Sequence, residues 1–339
     1  MKQSKPTIKE IAKVANLSVP AISQALNNTG RISQKTRDHI MEVCARLGYR
    51  PNISARAIRT GRFNCLTFLL GSEEYSSSFP HELFNSLISE IARKNLSMNV
   101  AQLSSKELTD ESFIPKFLGE WMSDGLLINY NSRIPDRMVE LIKRFNVPSV
   151  WLNSKHEQNS LYPDDYGSGR MAVIKLLKMG HKKIAYADLS NDFNNGHYSA
   201  RDRLNGYLSA MKDANLEPVL LTKKLKREER IDFLTKELSL KRPTAIISYG
   251  SISCIIYAIL SEMGMKIPRD ISIITFSAQK KENSFGISIT SAFYSASDMG
   301  RDAVNMLIEK IEKPNEDIPS KVYKYKMEDG DTCATLKKD

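Results

Sequence analysis

Long apolar runs are absent from this sequence of 339 residues. No stretch of about eighteen consecutive apolar residues occurs, which is the length that a helix needs to cross a bilayer. The opening residues, MKQSKPT, also lack the apolar centre of a secretory signal. We therefore expect no membrane anchor and no export, and we expect a cytoplasmic protein.

Side chains for metal binding and catalysis are sparse as well. The four cysteines are far apart and form no CxxC or Cys/His spacing, so neither a disulfide nor a metal is indicated. The five histidines have no sequence partners that suggest a triad, and no GxSxG, P-loop or HExxH motif occurs. The sequence GSGR at Gly167 is only a weak glycine pair at a helix start. We expect no enzyme activity, no cofactor and no metal.

Helical spacing is clear in residues 7–62. Ile8, Ile11, Ala12 and Ala15 repeat at positions that share one helix face. A second helix follows a brief polar turn, with a serine N-cap and a proline in its first turn. Two short helices this close together predict a helix-turn-helix, whose second helix enters the major groove of DNA.

A third helix is predicted over residues 35–47, with Ser33 as its N-cap and Gly48 as its end. The basic segment that follows is predicted to be helical after Asn52. Residues 1–62 hold twelve Lys and Arg against three Asp and Glu, whereas the other 277 residues hold 37 and 36. A positive head on a nearly neutral body is typical of a phosphate-binding domain.

The pattern changes after residue 63. Apolar runs such as CLTFLL, GLLIN and PTAIIS alternate with helical segments of ten to fifteen residues. This alternation predicts βαβ units and therefore an α/β fold with doubly wound parallel sheets. The units form two series, and the second begins at Asp164.

The head resembles the DNA-binding domain of the LacI/GalR family of bacterial transcriptional regulators. TIKEIAKVANLSV, S-x-ALNN, R-I-S-x-KTR, LGYRPN and ARAIRTGR carry the resemblance, in the family's order and spacing. The body resembles the family's two-lobed, periplasmic-binding-protein-like effector domain through DDYGSGR, LLKMGHKKIAY, SARDRLNGY, RPTAIIS, IPRDISIITF and DMGRDAVNML.

This resemblance implies three parts. Residues 1–50 would be the helix-turn-helix domain, 51–62 a hinge helix or linker, and 63–339 an effector-binding and dimerisation domain. Within the last part, lobe 1 would comprise about 63–161 and 292–339, and lobe 2 about 162–291. The implied function is a repressor that binds a pseudo-palindromic operator as a homodimer and responds to a small ligand between the lobes.

The resemblance also assigns DNA contacts residue by residue. Val19 and Pro20 match the start of the family's recognition helix, which touches bases, and Gln24 matches a position where most members have arginine. The hydroxyl and amide positions that match phosphate contacts are Thr7, Ser18, Ser23, Asn27, Ser33 and Thr36. Simple helix capping is the alternative for the hydroxyls, and the two roles can coexist.

The hinge positions follow the same resemblance. Tyr49 and Asn52 flank the hinge, and Ala55 and Ile58 match positions that enter the minor groove. The family usually has leucine where this chain has Ile58, so a stiffer, blunter wedge is expected here. So short a hinge should fold only when it pairs with its twin on DNA.

The effector positions depart further from the family. Arg203 matches an arginine that grips the ligand, and Asn153, Tyr249, Gly250 and Ser277 complete the expected site. The family's amide and acidic residues are replaced at Gly250-Ser251 and Ser277-Ala278. We therefore expect Arg203 to lack acidic neighbours and the ligand to be anionic or more apolar than a sugar.

Three alternatives stay open at this point. In the first the cleft binds no ligand, in the second the chain is a pure solute-binding protein, and in the third it is an α/β enzyme. The basic head and the lack of a signal segment disfavour the second, and the lack of a polar catalytic set disfavours the third.

Overall fold

The structure is a computed structural model of the chain. It describes residues 6–27, 29–52, 57, 60–71, 79–103, 110, 112–120, 122–129, 136–189, 197–223, 225–278, 282–284 and 286–336. The chain divides into two compact units, Met1–Phe63 and Asn64–Asp339, called the head and the body below.

The described residues of the head include three helices with full bounds, α1 (Ile8–Ala15), α2 (Val19–Leu26) and α3 (Gln34–Leu47). Each helix begins at a hydroxyl residue whose oxygen accepts a backbone N–H three residues on. Helix α1 ends at Asn16 and α3 at Gly48, both in the left-handed conformation. Ile11, Ile22 and Ile40, one from each helix, are fully buried and form the centre of the core.

The first sheet of the body has six parallel strands in the order β13-β5-β4-β3-β1-β2. The strands are β1 (Cys65–Gly71), β2 (Ser97–Leu103), β3 (Gly125–Asn129), β4 (Ser149–Leu152), β5 (Ser160–Pro163) and β13 (Lys321–Tyr323). The helices of this part are α4 (His81–Arg93), α5 (Lys116–Gly119) and α6 (Asp136–Arg144). Sheet and helices form lobe 1.

The second sheet has the order β14-β12-β9-β8-β6-β7, and only β14 runs antiparallel to its neighbour. Its strands are β6 (Ile184–Asp188), β7 (Val219–Thr222), β8 (Ala245–Tyr249), β9 (Ser272–Ser277), β12 (Ser291–Phe293) and β14 (Lys326–Glu328). Its helices are α7 (Asp165–Lys178), α8 (Tyr198–Asp213), α9 (Arg230–Lys241) and α10 (Ser251–Glu262), with a 3-10 turn at Arg227–Glu229. These elements form lobe 2, beside which β10 (Glu282–Ser284) pairs with β11 (Ile287–Ile289).

The chain crosses between the lobes three times: after β5, after β12, and between β13 and β14. Helix α11 (Ala296–Glu312), which follows the second crossing, packs against α4 and returns to lobe 1. These crossings position the residues of the cleft described below.

The doubly wound α/β fold expected from the alternating pattern is confirmed. Two details differ from the sequence-based assignment. The end of the chain does not lie wholly in lobe 1, because β12 and β14 join the second sheet and the hydroxyl of Thr332 donates to the carbonyl of Ile273 in β9. One helical segment is shorter than the expected ten to fifteen residues: α5 spans only Lys116–Gly119, directly after Pro115, and it ends on a glycine that lowers helix propensity.

Candidate functional site

Helix α2 of the head has one buried face and one open face. Ile22 and Ala25 are buried in the core, whereas Pro20 and Gln24 are exposed and Val19 is 37% exposed. The three residues expected to read bases therefore lie on the exposed side of one helix, with Val19 and Pro20 at its start and Gln24 in its second turn. The absence of acidic side chains from the first turn leaves this surface without a negative charge that would repel phosphate.

The hydroxyl residues act as helix caps. Thr7 and Glu10 form a reciprocal capping box, in which the Thr7 N–H donates to Glu10 Oε2 at 2.6 Å. Ser18 Oγ accepts from the Ala21 N–H at 3.3 Å, and Ser33 Oγ accepts from the Thr36 N–H at 3.1 Å. A hydroxyl that accepts one N–H keeps its own proton to donate, so capping is compatible with phosphate contact.

Gln24 lies against the turn that follows its helix. Its backbone carbonyl accepts from the Thr29 N–H at 2.9 Å. Its side chain lies beside Gly30, where an added Cβ would be 2.6 Å from Gln24 Oε1. Gly30 has a φ of +73°, which favours glycine. This contact was not predicted from the sequence, and it leaves no room for a side chain at position 30 unless the Gln24 side chain moves.

The remaining DNA-contact candidates differ in burial and in hydrogen bonding. Asn27 Nδ2 donates to the Ser23 carbonyl at 2.5 Å, so part of its amide is used within the helix. The half-buried Tyr49 packs against the head core, and Asn52 is exposed. Ala55 and Ile58 lie outside the described residues. The DNA-binding assignments of all these positions stay predictions.

A cleft of about 280 Å³ lies between the two lobes of the body. All five residues expected at the effector site border it: Asn153, Arg203, Tyr249, Gly250 and Ser277. Tyr249 and Ser277 stand at the carboxyl ends of the neighbouring strands β8 and β9, the usual position of ligand sites in parallel sheets. Gly250 has open space where a side chain would begin.

The expectation that Arg203 lacks an acidic neighbour is wrong. Arg203 is 5% exposed, and its NH1 donates to Asp165 Oδ1 at 2.8 Å. The hydroxyl of Tyr325 donates to the same oxygen at 3.0 Å. Asp165 comes from the first lobe crossing and Tyr325 from the third, so the ion pair and the tyrosine hydrogen bond together join two crossings to helix α8. Sequence spacing did not indicate this partner, because Asp165 precedes Arg203 by 38 residues.

Aromatic rings enclose this ion pair. The guanidinium carbon of Arg203 lies 4.5 Å from the ring centre of Tyr249 and 5.5 Å from that of Phe276. Tyr294, on the second crossing, packs against the ring of Tyr325 at 5.3 Å between centres. Side chains from all three crossings therefore meet at one cluster on the cleft wall.

Burial shapes the charges in this cluster. Desolvation raises the pKa of Asp165 to about 6, although the positive charge of Arg203 opposes the shift. Burial also works against the charged form of Arg203, but the Asp165 carboxylate outweighs it, so the pKa of Arg203 lies well above its ordinary value. The guanidinium stays charged, and Asp165 shares a strongly desolvated site with it.

His197, the N-cap of α8, provides a second link across the cleft. Its Nε2 lies 2.8 Å from the carbonyl of Asn153, which can only accept, so Nε2 carries the proton. Its Nδ1 lies 2.7 Å from Ser199 Oγ. Burial lowers the pKa of His197 to about 4. Close by in the chain, Lys155 and Asp202 form an ion pair at 2.8 Å. The sequence pointed to none of these contacts.

Two further features, a membrane span and a metal cluster, are absent from the described residues. No helix among them is both long and apolar enough to span a bilayer. No group of three or more His, Cys, Asp or Glu side chains there is arranged to hold a metal ion.

Comparison with family models supports the division into two parts. Residues 7–52 match the model described as bacterial regulatory proteins, lacI family. Residues 173–333 match the model of a periplasmic binding protein-like domain. The two matched regions lie in the head and in the body.

Curated relatives extend over nearly the whole chain. The transcriptional regulator RegA of Clostridium saccharobutylicum is 26% identical over 331 residues, covering 95% of this chain and 97% of the relative. The transcriptional repressor PurR of Klebsiella pneumoniae (strain 342) is 24% identical and covers 93% of each chain. DegA of Bacillus subtilis (strain 168) is 27% identical over 80% of this chain and 81% of its own.

Solved structures show the same fold. The Lac repressor dimer bound to operator and the anti-inducer ONPF has a TM-score of 0.81 at 18% identity, covering 98% of this chain and 100% of the other. The complex of the transcriptional regulator CelR with cellobiose has a TM-score of 0.66 at 17% identity, covering 97% and 100%.

Proposed function

Because the chain belongs to the LacI family of bacterial regulatory proteins, we propose that it is a transcriptional repressor that recognises one operator sequence. In this proposal, two copies bind a pseudo-palindromic duplex, and a small ligand in the interlobe cleft alters their affinity for it. Residues 1–50 bind DNA, 51–62 link, and 63–339 dimerise and bind the ligand. The protein would act in the cytoplasm, where bacterial DNA lies.

The open face of α2 is the observation that carries the proposal. A helix with an exposed, acid-free start and a well-packed opposite face is suited to insertion into the major groove. The charge distribution supports this, since residues 1–62 have nine more basic than acidic side chains. The relatives named as transcriptional regulators support the same class of function.

Geometry supports the proposed homodimer. The described residues of the chain hold one helix-turn-helix, and two heads related by a two-fold axis require inverted half-sites. A solved structure of the same fold is described as a dimer bound to operator, which supports this arrangement. We expect the body to supply the dimer contact, because the hinge is too short to be stable alone.

A ligand role for the cleft rests on the buried ion pair. Arg203, Asp165 and Tyr325 connect two lobe crossings to α8, so a ligand that contacts this cluster would change the relative stability of lobe arrangements. The ligand would change DNA binding only if two lobe arrangements differ in their affinity for the ligand and also in their affinity for DNA.

Gel-shift titration with a selected duplex tests the DNA-binding function. We expect tight binding that weakens steeply as salt rises, because Lys and Arg release counterions from phosphates. Gln24→Ala should weaken binding to that duplex, whereas Met41→Gln, a change at an exposed position of α3, should not. Failure to shift any duplex at low salt would contradict the proposal.

A further inference from the structure

The described charges that line the cleft sum to a negative value. Glu82, Asp165 and Arg203 are the lining residues with a formal charge, two negative and one positive. The lysine beside this cluster, Lys324, is held by Asp164 at 2.8 Å. Lys155, two residues after Asn153, is held by Asp202. Charge complementarity therefore favours a cation over an anion in this cleft.

Arg203 is poorly placed to receive an anionic ligand. Its NH1 is engaged by Asp165, and its guanidinium lies against the rings of Tyr249 and Phe276. An anion that took over the guanidinium would leave the Asp165 carboxylate buried and unpaired, which is strongly unfavourable. The anionic ligand expected from the sequence is thus disfavoured by the partner that the sequence did not reveal.

Asp165 has an unused acceptor. Its Oδ1 receives both Arg203 and Tyr325, whereas its Oδ2 is buried and receives no hydrogen bond from any described residue. The whole side chain is 1% exposed and borders the cleft. A buried carboxylate oxygen without a donor is costly, so a ligand N–H that reaches Oδ2 would remove that cost.

Aromatic rings complete the surroundings. Phe79, Tyr249, Phe276, Tyr294 and Tyr325 line the same cleft. Ring faces attract ammonium and guanidinium groups, more so when these are removed from water. The volume of about 280 Å³ suits a compact molecule.

We propose that the interlobe cleft binds a compact organic cation, an ammonium, amidinium or guanidinium group on a small apolar or aromatic body, through Asp165 Oδ2 and the surrounding rings. This inference rests on the proposed ligand role of the cleft and specifies its chemical class. Glu82 adds long-range attraction at the cleft wall, and Arg203 stays paired with Asp165 while the ligand is bound.

Calorimetric titration of the full chain with charge-matched probes tests this inference. Phenethylamine, 2-phenylethanol and phenylacetate carry similar bodies with positive, neutral and negative head groups, and agmatine adds an aliphatic guanidinium. We expect the cations to bind, the alcohol to bind more weakly and phenylacetate not to bind. Absence of binding by both cations at millimolar concentration, or tighter binding of phenylacetate, overturns the inference.

Two variants locate the bound cation. Asp165→Asn should weaken cation binding about tenfold to a hundredfold, because it removes a charged acceptor. Glu82→Gln leaves the Arg203–Asp165 pair intact and should weaken binding about twofold to fivefold. Glu120→Gln, exposed and outside the cleft lining, is the control and should bind cations as the parent does. Unchanged affinity in the Glu82 and Asp165 variants would place the cation elsewhere and overturn the inference.

DNA binding measured on the same samples separates this inference from the proposed function. A protein that shifts duplex DNA but prefers phenylacetate keeps the proposed DNA-binding function and loses the cation site. A protein that binds the cations but no duplex loses the proposed function and keeps the cation site.

Discussion

The head and the cleft depend on contacts of different range along the chain. In the head, Thr7, Ser18 and Ser33 each cap a helix by bonding to a residue three positions away. In the cleft, Asp165 bonds to Arg203, 38 residues away, and to Tyr325, 160 residues away. A surface formed by local contacts can be predicted from the sequence, whereas a site formed by residues far apart in the chain is seen only in the folded structure.

The largest expected effect comes from breaking the distant ion pair. Arg203→Met leaves the Asp165 carboxylate buried without its cation, which should lower the free energy of unfolding of the body by about 3–5 kcal/mol. Denaturant unfolding measures it. Arg201→Met, on the same helix but exposed, should cost little. Equal losses in the two variants would mean that the ion pair has no special role.

Acid should destabilise the fold through protonation of His197. Because burial lowers its pKa to about 4, below the ordinary 6.5, the neutral ring stabilises the fold above pH 6.5, and this contribution is lost as the pH falls towards 4. The loss is about 3 kcal/mol. Asp165 acts in the opposite direction, since its raised pKa favours the fold as the pH falls from about 6 to below 4. The pH dependence of the parent's unfolding free energy would therefore show only the net effect of His197 and Asp165.

The contribution of His197 is isolated by comparing the pH dependence of the unfolding free energy in the parent and in a His197 variant. His197→Gln can still donate to the Asn153 carbonyl, and it should flatten the dependence of unfolding free energy on pH between 6.5 and 4. His81→Gln, at an exposed position of α4, serves as the control and should keep the parent's dependence. An identical pH profile for the parent and His197→Gln would show that the ring titrates normally.

Specificity in the head should depend on Gln24. Its amide matches adenine N7 and N6, whereas arginine matches guanine O6 and N7, so we expect an A·T pair opposite Gln24, favoured by about 1–3 kcal/mol. Sequence selection should move towards guanine with Gln24→Arg and lose its preference with Gln24→Ala. Contact with Gly30 adds a test: Gly30→Ala should disturb the resting amide and reduce the same preference. Identical half-sites for all variants would show that Gln24 reads no base.

The smallest expected effect is local. Ser18→Ala removes the oxygen that accepts the Ala21 N–H and should destabilise the head by about 1 kcal/mol, seen as faster amide exchange in α2. Ser18→Asn keeps a cap acceptor and should retain most of the protection. Equal exchange in the parent and Ser18→Ala would show that the cap is not needed.

The sequence predicted the head helices closely because their signals are local. Serine caps, Pro20 and Gly48 mark the helix ends within a few residues. In the body, apolar runs predicted the central strands, but the short strands β5, β13 and β14 carry too few residues for a period to show. Arg203 was expected in the cleft, yet Asp165 was missed, because folding alone brings a lobe crossing against helix α8.

Selection of bound sequences from a random duplex pool tests the central claim most directly, namely that the open face of α2 reads an operator in two copies. The account predicts enriched sites with two inverted half-sites at a fixed spacing, protected together in a footprint. Enrichment of a single half-site bound at full affinity, or no enrichment at all, would contradict it.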